Sequence, residues 1–244
     1  VTPLEALAIA AAGFVAGGVN TIVGSGSLLT FPTLLAFGYP PVTANVSNNV
    51  GLVSGNVSGV YGYRAELRGQ HRRAATLAIG SLLGAAGGAT LLLALPSSVF
   101  DDVVPLLILV ACALMLVRRR PSAQGAVDHP RAALAGSFLT GIYGGYFGAA
   151  QGVIMLSILR LCFHEDMQRL NAVKNVLAGV ANCTAALIFV FAAHVAWDVA
   201  LLLAVGSTLG AQVGAKLGRR LPDGVLRWTV VSVGTTVAVI LFVT

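Results

Sequence analysis

Residues 77–96, LAIGSLLGAAGGATLLLALP, return 126 positions later as residues 203–222, LAVGSTLGAQVGAKLGRRLP, without a gap. The two stretches agree at 12 of 20 positions, where shared Ala, Gly and Leu composition alone would give about two. The same offset lays Gly18 on Gly144, Gly26 on Gly152, Asn45 on Asn171, Asn49 on Asn175 and Asn56 on Asn182. Three of these five matches are polar residues inside apolar sequence, so composition does not explain them. The chain reads as a duplicated membrane unit. Repeats of this size, each with an interrupted hydrophobic segment at the same place, point to a secondary transporter whose site lies where the repeats meet.

The 244 residues are 57% hydrophobic and 10% charged, with a mean hydropathy of +0.86. That leaves too little polar surface to cover a water-soluble globule of this length. The apolar stretches approach the roughly 20 residues that carry a helix across about 30 Å of hydrocarbon, and they lack the alternation of barrel strands. The expected fold is all-α and polytopic. The 29 glycines, many in spacings such as Gly80, Gly84, Gly88 and Gly206, Gly210, Gly214, suit helices that pack closely where lipid supplies no hydrophobic drive. Those glycine-rich faces leave a homodimer open, and they could equally be internal.

Expected spans run over 4–23, 27–37, 43–63, 74–95 and 103–117, then over 131–149, 152–163, 170–192, 197–218 and 227–243. The strongest arginine clusters, 64–73 (RAELRGQHRR) and 118–131 (RRRPSAQGAVDHPR), are separated by two spans, so both can face the cytoplasm. The loops 96–102 and 192–198 carry no Arg or Lys and belong outside, whereas 219–227, with Arg219, Arg220 and Arg227, belongs inside. Both chain ends then face outward. The repeat-equivalent of the basic inside loop 64–73 is the basic-free outside segment 190–199. The two halves therefore have opposite orientation: a first transmembrane repeat over 1–117, a cytoplasmic linker over 118–130 and a second, inverted repeat over 131–244. Each repeat has about five helical segments. The pieces 27–37 and 152–163 are too short to cross comfortably and are expected as broken or re-entrant helices, tolerated at depth where they are buried in protein or line a wet cavity. The first segment, starting at Val1 without a basic start or a small-residue cleavage site, reads as a trimmed transmembrane helix and not as a signal peptide.

Two regions can carry chemistry. The first is the break Gly24, Ser25, Gly26, Ser27, with Gln151 and Gly152 at its counterpart in the other half. Backbone N–H groups at the start of the short helix that follows would face the cavity with the positive end of its dipole, a geometry that binds anions. The plain alternative is a packing kink. The second is the polar run Asn45, Ser47, Asn48, Asn49, matched by Asn171, Lys174 and Asn175. Such groups are costly in hydrocarbon unless they meet each other, water or a ligand. Lys174 either snorkels to the headgroups or faces inward, opposite Asn48, as the fixed positive charge of the site. Asn56 and Asn182 either line the path or cross-link helices, and Lys216 reads as an anchor at a span end.

All nine acids, Glu5, Glu66, Asp101, Asp102, Asp128, Glu165, Asp166, Asp198 and Asp223, fall at span ends or in loops. Cation carriers and most proton-coupled pumps need a buried carboxylate, so a neutral polar site with one Lys argues for an anion. The histidines at 71, 129, 164 and 194 show no ligand spacing, and Cys112, Cys162 and Cys183 show no paired spacing, so no metal, cofactor or disulfide is expected. No nucleophile and base arrangement suggests catalysis. The positive charge reads as topology, not as nucleic-acid binding.

At these same residues the chain resembles the TauE/SafE (TSUP) family of sulfite exporters. The resemblance rests on 13–32 (GFVAGGVNTIVGSGSLLTFP) with the 40–45 turn (PPVTAN), on 141–152 (GIYGGYFGAAQG), and on 197–201 (WDVAL) and 210–217 (GAQVGAKL). The family's glycine-rich turn is here Gly24-Ser-Gly-Ser, and the second copy reads Ala-Gln-Gly. The resemblance implies a transporter in a bacterial or archaeal cytoplasmic (inner) membrane that exports sulfite or small organosulfur anions such as sulfonates. The expected partners are thus a small sulfur oxyanion and the lipid bilayer. The nearest rival is an anion channel of the same architecture; a membrane-embedded sulfur-handling protein, which would need a reactive cysteine such as Cys183 in the cavity, is more distant.

Overall fold

In the computed structural model the residues described are 1–100, 102, 103, 106, 107, 109 and 128–218. They form eight helices: α1 Pro3–Ile22, α2 Ser27–Ala36, α3 Pro41–Gly62, α4 His71–Ala94, α5 Pro130–Tyr146, α6 Gln151–Cys162, α7 Met167–Ala192 and α8 Trp197–Leu217. No strand occurs among the described residues. The spans expected at 103–117 and 227–243 lie outside them apart from the helical positions 103, 106, 107 and 109. So do Asp101, Cys112, Arg219, Arg220, Asp223, Arg227 and most of the 118–130 linker.

Local signals account for where these helices start. Thr2 accepts from the Glu5 N–H at 3.3 Å while the Glu5 carboxylate accepts from the Thr2 N–H at 2.7 Å, a capping box with Pro3 at the first helical position. Pro41 and Pro130 open α3 and α5 in the same way, and the Asp166 carboxylate caps α7 by accepting from Gln168 N at 2.9 Å. Four helices, α1, α4, α7 and α8, are long and apolar enough to cross a bilayer. Helix α3 has the length but carries seven Asn and Ser residues between 45 and 58. Helices α2 and α6, with 10 and 12 residues, are about 15 and 18 Å long and cannot span the hydrocarbon alone.

Large apolar side chains lie on the outside as well as in the core, and several polar ones are enclosed. Leu4, Leu7, Leu161 and Phe191 are 68–83% exposed, while Thr30 and Lys174 are wholly buried and Asn45 and Asn48 are 2% exposed. Apolar side chains outside and polar ones inside is what lipid as solvent demands. The chain is a polytopic membrane protein.

Helices with the same place in the two halves recur at the 126-residue offset, and so does their packing: α1 lies on α8 as α5 lies on α4, and α3 lies on α8 as α7 lies on α4. The halves are thereby interleaved. Small residues make this approach possible, since a Cβ on Gly210 would fall on the Phe14 backbone and one on Gly84 on the Phe138 backbone. Helices α1 and α8 run in the same direction, with Gly13 against Leu203 and Gly17 against Ser207. The equivalent helices α3 and α7 run antiparallel: Tyr63 packs with Ala172 at one end, Gly179 faces Asn56 further along, and Val46 and Phe189 share the core toward the other.

One end of the bundle gathers the basic stretches. Arg73 pairs with Asp128 at 3.5 Å and with Glu165 at 3.4 Å, Arg169 pairs with Glu165 at 2.8 Å, and Gln70 donates to the Arg169 carbonyl at 3.0 Å. The segments 64–73, 128–131 and 163–169 thus lie together.

Candidate functional site

The breaks after α1 and α5 fold alike. Gly24 has φ +89° and Ala150, its equivalent 126 residues on, has φ +56°, so both turns pass through the left-handed region that favours glycine. They also touch: the Gly152 N–H donates to the Gly24 carbonyl at 3.0 Å, and a Cβ on Gly24 would overlap the Gly152 backbone. Next to this contact stand Ser25 and Gln151, again equivalent positions. Ser25 is wholly buried and Gln151 is 3% exposed, yet neither Ser25 Oγ nor Gln151 Nε2 has a hydrogen-bond partner within the protein. A buried polar atom left this way costs about 1–3 kcal/mol, so a symmetric pair of them marks a place for something polar. The Gln151 carboxamide lies over Gly144, which has no side chain to displace it.

Some of the N–H groups at the break serve the protein itself. Gly26 N donates to Asn20 Oδ1 at 2.6 Å, and Gly152 N is taken by Gly24. Ser27 is 9% exposed at the start of α2.

Helix α7 brings Asn171, Lys174 and Asn175 to the end of α1. Lys174 Nζ donates to the Asn20 carbonyl at 2.9 Å and to the Thr21 carbonyl at 3.4 Å, and Thr21 O also accepts from Asn171 Nδ2 at 3.1 Å and Asn175 Nδ2 at 3.2 Å. These carbonyls lack partners inside α1 and carry the negative end of its dipole. Lys174 is therefore turned inward, not snorkelling. Lys216, in contrast, is exposed in the last turn of α8.

The other half repeats this in part. Asn45 Nδ2 donates to the Tyr146 carbonyl at the end of α5 at 3.0 Å, as Asn171 does for α1. Asn48, which stands where Lys174 stands, instead accepts from Thr30 Oγ1 on α2 at 2.5 Å, and Ser47 Oγ accepts from Ala196 N at 2.9 Å. Asn49 Oδ1 and Asn171 Oδ1 are buried without partners. Because α3 and α7 are antiparallel, the two Asn clusters sit toward opposite ends of that pair, and Asn48 is not brought to Lys174. Asn56 lies against Gly179 with its Nδ2 unpartnered, while Cys183 is exposed on α7.

Four aromatic side chains that no local spacing singled out close one flank of the breaks. Phe147, in the second break, meets Phe31 of α2 edge-on at 5.2 Å and Phe100 at 5.9 Å, and Phe100 meets Tyr146 at 5.7 Å. A usable signal lay in the duplication: at the offset of Tyr146, Phe147 and Phe31 stand Asn20, Thr21 and Ser157. One flank is aromatic where the other is polar. Among the described residues every Asp and Glu is at least partly exposed.

Comparison with known proteins extends over the same residues. The family described as sulfite exporter TauE/SafE matches residues 9–241. A probable membrane transporter protein of Haemophilus influenzae is 27% identical over 208 residues, covering 84% of this chain and 82% of that protein. Probable membrane transporter protein YfcA of Escherichia coli K12 is 27% identical over 208 residues, covering 83% and 76%. A probable membrane transporter protein of a Sinorhizobium species is 30% identical over 211 residues, covering 84% and 80%. No solved structure matches the chain at a significant level.

Proposed function

The chain belongs to the TauE/SafE family of membrane transporters, and from that premise we propose that it moves sulfite, or a related small sulfur-containing anion such as a sulfonate or thiosulfate, across the cytoplasmic membrane by alternating access. The observation that carries this reading is the pair of unpartnered, buried donors, Ser25 Oγ and Gln151 Nε2, beside the Gly24–Gly152 contact. An oxyanion, with several acceptor oxygens, is the kind of ligand that such donors hold. Neither break contains an Asp or Glu to repel it.

In this reading the halves are inverted repeats and the arginine-rich end faces the cytoplasm. The anion enters from that end past Asn171, Asn175 and Lys174. The aromatic cluster of Phe31, Phe100, Tyr146 and Phe147 seals the other end, and rocking of one repeat against the other exchanges the sealed and open sides. Neutral donors hold the ion loosely enough for release.

Calorimetry on the purified protein with sulfite, thiosulfate and sulfoacetate, using chloride as a control, tests the assignment. The expected result is selective binding of a sulfur oxyanion that is lost in the Ser25→Ala, Gln151→Leu double variant. Binding that survives in that variant removes the site, and no response to any sulfur anion removes the substrate class.

A further inference from the structure

Four helix ends converge on the breaks: the C-termini of α1 and α5 and the N-termini of α2 and α6. Each carries about half an elementary charge, negative for the first two and positive for the others, so the four sum to about zero. The side chains nearest the breaks, Asn20, Ser25, Ser27, Gln151, Asn171 and Asn175, are neutral. Lys174, wholly buried, is the one buried Lys or Arg among the described residues. The fixed charge around the breaks is therefore close to plus one, and it is already drawn toward the Asn20 and Thr21 carbonyls.

From this balance we infer that the site takes its substrate as a singly charged oxyanion, such as bisulfite or a sulfonate, and rejects the dianions sulfite and sulfate. The inference rests on the transport reading above. A monoanion in this setting makes an electrically neutral complex with the site, which costs little to enclose in a low-dielectric interior. A dianion leaves one full negative charge uncompensated with only neutral donors around it, and burying such a charge is expensive. The donor pair fits the same species. Gln151 Nε2 can only donate, whereas the Ser25 hydroxyl can donate or accept, so it can meet either a bare oxygen or the O–H of a protonated oxyanion.

Few groups of the protein could imitate this pH dependence. On the elements packed around the breaks the titratable side chains that face inward are Lys174 of α7, the phenols of Tyr143 and Tyr146 on α5 and of Tyr63 just after α3, and the thiol of Cys162 at the end of α6, and all four histidines are exposed. An anion that is singly charged at every pH separates their titration from that of the substrate.

The experiment measures binding of sulfite, methanesulfonate and sulfate to the wild-type protein in detergent across the pH range in which bisulfite loses its proton. The expected result is methanesulfonate binding that does not change, apparent sulfite affinity that falls about tenfold per pH unit once bisulfite is the minor species, and no sulfate binding. Sulfite affinity that holds steady, or sulfate that competes with it, overturns the monoanion assignment and leaves the transport reading intact. Methanesulfonate binding that falls in parallel with sulfite places the titration on the protein and overturns the assignment as well. If none of the three binds at any pH, the substrate reading goes, and this inference with it.

Discussion

The Nζ of Lys174 donates to the carbonyl of Asn20 at 2.9 Å, joining the buried first half of α7 to the last turn of α1 across 154 residues of chain. The bond gives one side chain two tasks. It satisfies the carbonyl end of a helix that stops inside the protein, and it sets the charge of the space just beyond that end.

Replacing Lys174 with Met keeps most of the stem and deletes the charge. Asn20 O loses the side chain that bonds it, at about 1–3 kcal/mol, while Thr21 O keeps Asn171 and Asn175. The variant is expected to fold with a lowered melting temperature and to lose methanesulfonate binding, read by thermal unfolding and calorimetry side by side. A Met variant that binds as wild type does would reduce Lys174 to a structural cap.

Ser25 and Gln151 should behave in the opposite way. Their unpartnered atoms contribute no bond within the protein, so Ser25→Ala and Gln151→Leu are expected to leave the ligand-free melting temperature unchanged or slightly raised, since each removes a buried polar atom that lacks a partner. Anion binding should weaken in each single variant and vanish in the double. A fall in stability without anion would mean that these atoms pair inside the protein and do not await a ligand.

The helices themselves were legible in the sequence. Each described helix lies within three residues of the span expected from hydropathy and from Gly and Pro punctuation, because in a bilayer a helix must satisfy its own backbone and its length is set by the hydrocarbon. Both breaks were legible too, through Gly24 and Gly26 and their repeat-equivalents. The partners of the polar side chains were not. Asn48 and Lys174 occupy equivalent positions, yet one meets Thr30 of its own half and the other meets α1 of the opposite half. That difference is decided by how α2 and α1 pack, which no local pattern encodes. The aromatic cluster escaped for the same reason, since its members come from α2, the end of α5, the second break and the segment after α4.

The Gly24–Gly152 contact predicts an asymmetry between two substitutions at equivalent positions. Gly24→Ala puts a Cβ into the Gly152 backbone and strains a φ of +89°, so it should destabilise strongly or abolish folding. Ala150→Gly relieves a non-glycine residue at φ +56° and should stabilise by about 1 kcal/mol. Melting temperatures of the two variants measured against wild type decide the matter, and equal effects would count against the turn geometry.

The aromatic flank predicts a leak. Phe147 is 5% exposed and stands edge-on to Phe31, so Phe147→Ala opens a cavity at about 3–5 kcal/mol of stability. If the cluster seals the end away from the arginines, proteoliposomes carrying this variant should pass sulfite faster than wild type and without saturation. Flux that merely drops with the amount of folded protein would assign Phe147 to packing alone.

The most demanding prediction exchanges Asn48 and Lys174 between the halves. A site with true two-fold symmetry would accept the ammonium from either side, and the N48K/K174N double variant would bind anion as well as wild type does. The structure predicts that it will not. At position 174 the ammonium meets two carbonyls at the end of α1, whereas at position 48 the neighbouring polar group is the Thr30 hydroxyl. The carbonyl at the end of α5 is already held by Asn45, and the flank beyond it is aromatic. A lysine placed there would lose water without gaining helix-end acceptors, so N48K alone should destabilise and the double variant should regain neither stability nor binding. Calorimetry with methanesulfonate on the four proteins of this cycle separates the outcomes. Recovery in the double variant would mean that the position of the charge matters less than its presence, and that α1 is not its necessary partner.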